Sequence, residues 1–304
     1  MKNKKIFLTG GSGMLGEILS SLLKDKYNFI SQYFSNDKAI SQNDSVKLNL
    51  AEYKNVKNFL IDYKPDIIIH TAAISRPDVC ESMDFTDVKK INVTPCEYLT
   101  EYIHNYGEKI IYTSTDLVYD GNGSGMLTEN SMLNPASVYA KSKLEGEDAV
   151  KETSDKHIIL RQSLMFGFSH SNAVNNFQLM YQSLSDGKCV NLFDDQFRTP
   201  MSSLQSAKII TEMINKEFEF GIYNHGGDEK ISRYDLGNIL CNVESFNHKL
   251  INKISMNAVP GVNKVKDVSM NCTKLRNQGF LCDTLEQSVI ECILRYKNSK
   301  SNIL

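Results

Sequence analysis

No apolar run in the chain approaches the roughly 20 residues that a membrane-spanning helix needs, and no internal repeat or low-complexity linker interrupts it. Charge of one sign is lacking too: the formal net charge is −2, which removes the broad basic field expected of a nucleic-acid-binding protein. The seven cysteines, Cys80, Cys96, Cys189, Cys241, Cys272, Cys282 and Cys292, are odd in number and scattered, with no CxxC pair and no histidine cluster nearby. That pattern argues against a disulfide frame or a metal site and for reduced structural thiols. The start, MKNKKIFLTGGSG, passes from a few charges straight into a strand and a glycine loop, which reads as a cytoplasmic protein. With 304 residues, 41% hydrophobic and 23% charged, the chain is long enough to bury a substantial core as one domain with at most a small satellite.

What is present is an alternation of strands and helices. Lys4 to Thr9 reads as a buried strand that runs into TGGSGMLG and then an amphipathic stretch from Glu17 to Leu23. Gly10, Gly13 and Gly16 in that context, with Ser12, Met14 and Leu15 between them, read as a dinucleotide-binding turn. The first glycine allows the tight turn, the second lets backbone approach a pyrophosphate, and the third allows close helix packing. The second strand, Tyr27 to Phe34, ends in QYFSNDK. Ser35, Asn36 and Lys38 suit a 2′-phosphate and Asp37 argues for a free 2′-hydroxyl, so NADP is favoured with NAD possible. A third strand, Val46 to Leu50, brings Asn49 and Leu50 to the same end, where Asn49 meets an adenine edge or caps the next helix. That helix is expected over Tyr53 to Tyr63.

Pro65 to His70 is a continuous apolar run, as expected for a strand covered on both faces. It leads into TAAISRPD, where Ala72 and Ala73 let a cofactor lie against backbone and Arg76 follows as a candidate substrate contact. One helix is expected from Phe85 to Tyr106, with Asn92 either exposed or supporting the site. Lys109 to Thr113 is a fifth strand delivering Ser114, Thr115 and Asp116 at its C-terminal end, where ligands bind in open α/β sheets. The Gly- and Asn-rich loop from Leu117 to Pro135 reads as a mobile segment over the pocket. Behind it VYAKSK places Tyr139 and Lys143 four residues apart, on one helical face. An ammonium beside a phenol lowers the phenol's pKa from roughly 10, so the pair is a candidate acid/base device. A sixth strand is expected at His157 to Arg161. Further on, Gln196 and Arg198 in DDQFRTP are candidates for gripping a phosphate or sugar, and Ser232 is placed to cap a helix. Together these predict an α/β fold: a Rossmann-type doubly wound parallel sheet over residues 1–165, with a small C-terminal substrate-binding lobe over 166–304 interleaved with it.

Four strings stand in order: TGGSGMLG after the first strand, TSTD after the fifth, YAKSK in the next helix and LRQSLMFG after the sixth. They resemble the extended short-chain dehydrogenase/reductase family. TSTDLVYDG, RPDVCE, DDQFRTP and DVSMNCTKLRNQGF narrow the likeness to its dTDP-4-dehydrorhamnose reductase branch. The resemblance implies that Tyr139 donates a proton to a ketone oxygen during hydride transfer, that Lys143 tunes it and binds the nicotinamide ribose, and that Thr115 holds the same oxygen. It implies a nucleotide-sugar substrate and a homodimer. Some relatives bind a divalent metal between subunits through glutamates; Ile18 stands where one is wanted, so no metal is expected. The rival expectations are a dehydrogenase or epimerase with retained NAD, and a non-catalytic regulatory subunit resembling the methionine adenosyltransferase beta subunit.

Overall fold

The computed structural model describes residues 4–36, 44–169, 175–260 and 265–301. Strands β1 (Lys5–Thr9), β2 (Asn28–Tyr33), β3 (Ser45–Lys47), β4 (Ile67–His70), β5 (Lys109–Thr115) and β6 (His157–Gln162) lie in one parallel sheet. A later strand, Gly221–His225, becomes β11 once β7 (Met165–Phe166), β8 (Val190–Phe193), β9 (Phe197–Arg198) and β10 (Met201–Ser202) are counted. The order across the seven-stranded sheet is β11-β6-β5-β4-β1-β2-β3. The strand order therefore reverses between β1 and β4, and the crevice that opens there is where such sheets take their ligands.

Side-chain alternation explains the layers. In β1, Ile6 and Leu8 face one side and Phe7 the other, and Ile67, Ile68 and Ile69 of β4 repeat the pattern with no exposed surface. One side packs on α1 (Met14–Leu23) and α8 (Ser203–Met213) through Leu15, Leu19, Ile210 and Met213. The other packs on α2 (Tyr53–Tyr63), α5 (Thr94–Tyr106) and α6 (Val138–Thr153) through Leu60, Leu99, Ile103 and Val150. Strands apolar on both faces require this double cover.

The helix expected over Phe85 to Tyr106 is two helices, α4 (Phe85–Asn92) and α5, preceded by a short α3 (Pro77–Glu81). Pro95 lies in the first turn of α5; proline has no N–H for the preceding turn and its ring collides with the carbonyl four residues back. The apolar period runs on across the break, which is why sequence pattern alone joined them.

The C-terminal lobe has its own core. With β12 (Ile231–Ser232) and α10 (Thr273–Asn277) counted, α7 (Asn176–Ser185), α9 (Arg233–Glu244) and α11 (Leu285–Ser301) bury Phe177, Leu240 and Val289 with Phe166 and Phe168, and β13 (Ile251–Ile254) pairs with β8. It is threaded through the sheet, because α8 packs on α1 and β11 extends the sheet beside β6. Ser232 caps α9 in a reciprocal capping box with Asp235.

The loop from Leu117 to Pro135 is not the free segment expected. Leu127 N–H donates to the Ser269 carbonyl at 2.8 Å, and Asn271 N–H returns to the Leu127 carbonyl at 2.8 Å. Val118 and Tyr119 are buried against Val265, Val268 and Met270. A partner segment some 140 residues away supplies these contacts, so local composition alone suggested mobility. All seven cysteines are free thiols and only Cys189 is exposed. Among the described residues no helix is long and apolar enough to cross a membrane.

Candidate active site

A cleft of about 1410 Å³ runs across the C-terminal ends of the strands. Its walls include Gly10, Ser12, Gly13, Met14, Leu15, Gly16, Ser35, Asn49, Leu50, Ala72 and Ala73 at one end, and Arg76, Thr115, Asp116, Tyr139 and Lys143 towards the middle. Every described residue expected to touch a dinucleotide, and all three of the acid/base group, share this one cavity. Asp37 and Lys38, which bear on the choice of cofactor, lie outside the described residues.

The glycine turn is held at close quarters. Gly10 has φ +71°, and a Cβ there would stand 2.7 Å from the Ala72 backbone nitrogen; one on Gly16 would stand 2.2 Å from the Gly10 carbonyl oxygen. A side chain at Gly10 pushes the β1 turn off the turn after β4, and one at Gly16 pushes α1 off the glycine turn itself. Gln32 fastens the turn to the sheet, accepting from Gly10 N–H at 3.0 Å and donating to the Leu48 carbonyl at 2.6 Å. Asn49 lines the cleft and holds the turn before α2, accepting from Ala51 N–H at 3.1 Å and donating to Glu52 Oε1 at 3.0 Å. Thr9 Oγ1 accepts from Thr71 and Ala72 N–H, so its one proton goes to His70 Nδ1 at 2.7 Å. His70 is thereby the Nε2–H tautomer, and burial, followed by the charge of Lys143, lowers its pKa to about 3.

Asn92 is buried and supports the site. Its Oδ1 accepts from Ile74 N–H at 2.8 Å, and its amide donates to Ser142 Oγ at 2.9 Å, tying the turn after β4 to α6. The start of α6 is capped by Ser137, which accepts from Ala140 N–H at 3.1 Å, and by Glu81 of α3, which accepts from Val138 N–H at 2.9 Å. Tyr139 is thus fixed one residue into a doubly capped helix.

The electrostatics of the pair differ from the expectation. Burial raises the Tyr139 phenol well above its ordinary value, with the Asp116 charge adding to it and the Thr115 hydroxyl opposing. The Lys143 ammonium lies over the ring of Tyr112, 4.1 Å from its centroid; burial lowers its pKa to about 8 against the opposing influence of Cys96 and Glu147. The i, i+4 spacing put both on one face, but the ammonium settles on the floor of the site and the phenol is left protonated.

Gln196 and Arg198 are not on the cleft wall. Arg198 is buried with its Nε 3.6 Å from Asp116 Oδ2, and its guanidinium donates to the Phe197 and Val265 carbonyls. Gln196 Oε1 accepts from Arg233 Nε at 2.9 Å. It is Arg233, at the start of α9, that lines the cleft. Burial and the like charge of Arg198 pull its pKa down to about 10 against Asp116. Arg198 and Arg233 face Asp116, and Asp267, which Lys230 pairs, also acts on Arg198, so this end of the cleft keeps an excess of positive charge suited to an anion. Arg233 follows Ser232 directly, so the helix cap was the available signal: the first residue after a cap faces whatever lies at that helix's N-terminus. Arg76 stands exposed at the mouth, paired with Asp78. Among the described residues no three metal-ligating side chains come together.

Residues 4–298 match the family model described as the RmlD substrate binding domain. The chain is 29% identical over 268 residues to a dTDP-4-dehydrorhamnose reductase of Aggregatibacter actinomycetemcomitans, covering 86% of this chain and 84% of that one. It is also 25% identical over 284 residues to the methionine adenosyltransferase 2 subunit beta of Xenopus laevis, covering 91% and 83%. A crystal structure of the dTDP-4-dehydrorhamnose reductase from Bacillus anthracis in complex with NADP superposes with a TM-score of 0.84 at 21% identity, covering 96% of this chain and 99% of that one. The chain belongs to the RmlD substrate-binding-domain family.

Proposed function

We propose that this protein is an NADP(H)-dependent reductase of the 4-keto group of a nucleotide-linked deoxysugar, of the dTDP-4-dehydrorhamnose reductase type. The observation that carries the reading is convergence: Thr115, Tyr139 and Lys143 stand in one cleft between the glycine turn and Arg233. The cavity fits a dinucleotide, since Gly10 and Gly16 leave no room for a side chain and Lys143 spends none of its donors on protein acceptors among the described residues. NADP is favoured because Ser35 and Asn36, at the end of β2, carry no acid; NAD remains the alternative.

When bound, a reduced nicotinamide supplies a hydride to the carbonyl carbon. Tyr139 donates its phenolic proton to the carbonyl oxygen as charge develops there, while the Thr115 hydroxyl holds that oxygen. Burial and Asp116 keep the phenol protonated at rest, which favours the reductive direction. Lys143 binds the ribose of the cofactor, and Arg233, backed by Gln196, holds the diphosphate of the substrate. The reading places the enzyme in the cytoplasm, as a homodimer, in surface-polysaccharide biosynthesis; light scattering tests the dimer.

NADPH and NADH oxidation against a panel of dTDP-, UDP-, GDP- and CDP-linked 4-keto sugars tests the activity, with turnover of at least one of them by NADPH expected. The likeness to the beta subunit of methionine adenosyltransferase sustains a second reading. Stoichiometric binding to such an enzyme with no oxidation of either cofactor sinks the reductase.

A further inference from the structure

Lys143 presents a physical problem. Its side chain is 2% exposed, yet among the described residues its ammonium has neither a hydrogen-bond acceptor nor an ion-pair partner. A buried ammonium with nothing to face should lose its proton. What it faces is the ring of Tyr112, fully buried, with Nζ 4.1 Å from the ring centroid. An aromatic face carries negative potential and attracts a cation without accepting any of its N–H groups.

The ring is fixed from every side. His70 stacks on it with centroids 5.5 Å apart and planes 26° apart. Its hydroxyl is 3.4 Å from the Lys143 carbonyl oxygen and occupies the space left by Gly146, where a Cβ would stand 2.3 Å from the Tyr112 hydroxyl oxygen. The phenol is held well above its ordinary pKa, by burial first, so Tyr112 acts through its neutral ring.

We propose that Tyr112 is a positioning residue: its ring face holds the Lys143 ammonium charged and in place while leaving the N–H donors free for a ligand in the cleft. The groups facing the ammonium are His70 from β4, Cys96 from α5, Tyr112 from β5 and Glu147 from α6, and Tyr139 lines the same cleft. His70 stays neutral above pH about 3 and the Cys96 thiol is raised to about 11 by burial. Glu147, one turn beyond Lys143, is the full negative charge on the same helix, and Arg161 already holds it in an ion pair. Among the described residues, the ring therefore stabilises the charge of the ammonium without competing for its hydrogens. The identity of the ligand rests on the reductase reading; the contact between ring and ammonium does not.

The test is the titration midpoint of Lys143, read by NMR of the ¹³C-labelled ε-methylene in the full-length protein and assigned with Lys143→Arg. Tyr112→Phe retains the ring face and is expected to keep the wild-type midpoint. A series of increasingly fluorinated phenylalanines at the same position keeps the shape while draining the face of charge, so it avoids the folding risk of Tyr112→Leu. The midpoint is expected to fall stepwise along that series by about one pH unit in all. A midpoint that stays constant along the series overturns the proposal, and so does one that falls as far with Tyr112→Phe as with the most fluorinated ring. Dinucleotide fluorescence titrations on the same samples separate the two readings. Wild-type protein that binds no NADPH refutes the reductase, and the Lys143 midpoints still decide the role of Tyr112.

Discussion

Glu147 and Arg161 form an ion pair of 2.8 Å in which the two side chains are 0% and 1% exposed. Arg161 reaches both carboxylate oxygens through Nε and Nη2, Ser114 donates to Glu147 Oε1 at 2.6 Å, and Arg161 Nη1 donates to Tyr119 Oη and the Glu129 carbonyl, each at 3.0 Å. Tyr119 passes the chain on to Asn224 Oδ1 at 2.6 Å. One buried network thus joins α6, β5, β6, the strapped loop and β11. Breaking such a pair from one side leaves an uncompensated buried charge and costs about 3–5 kcal/mol, whereas removing both charges is far milder. Glu147→Gln and Arg161→Met are each expected to lower the urea midpoint strongly, and the double variant to recover much of the loss. A double variant as unstable as the sum of the singles refutes this.

Tyr139→Phe removes the proton donor and leaves the ring and the helix caps in place. Turnover is expected to fall by about 10²–10⁴-fold, with NADPH affinity within a few-fold of wild type. In the wild-type enzyme the rate is also expected to decline above pH about 8, where Lys143 loses its proton. A Tyr139→Phe enzyme that retains turnover assigns the proton to another group.

Arg233→Ala takes away the one guanidinium that, among the described residues, reaches the cleft from the lobe. A charge-assisted hydrogen bond is worth about 1.5–3 kcal/mol, so KM for the nucleotide sugar is expected to rise about 10–150-fold while the affinity for NADPH holds. Arg198→Ala should instead appear mainly as lost stability, because that side chain packs against Asp116 away from the cleft. Steady-state kinetics and urea melts on the two variants distinguish the roles, and a larger KM effect at Arg198 than at Arg233 reverses them.

His70 and His225 are both fully buried, and burial above all lowers each pKa to about 3, with Lys143 and Arg276 respectively adding to it. In the unfolded chain each titrates near 6.5. Between those values the unfolded state binds protons that the folded state refuses, so stability falls as the pH drops from about 6.5 towards 3. The loss is about 1.4 kcal/mol per pH unit per histidine. Urea midpoints measured from about pH 7 to about pH 4 should show that slope, and His225→Asn should flatten it. An unchanged slope in that variant removes His225 from the account.

Local pattern was enough for the sheet and the cofactor turn. Continuous apolar runs at β1 and β4, glycines at Gly10 and Gly16, and a spacing of four between Tyr139 and Lys143 are each short-range signals, because strand period, turn sterics and helical period act over a few residues. Only the tertiary structure decided how the charges are used. Arg198 went inward to Asp116 and Arg233 outward to the cleft, since which arginine can be spared for a ligand depends on a carboxylate some 80 residues earlier in the chain. The Leu117–Pro135 loop became a strap because Ser269 and Met270 lie beside it. The pair matched by spacing has different surroundings: Tyr139 sits by Asp116 and Thr115, and the Lys143 ammonium lies over the ring of Tyr112. Burial and charge are properties of the assembled interior, and no window of sequence contains them.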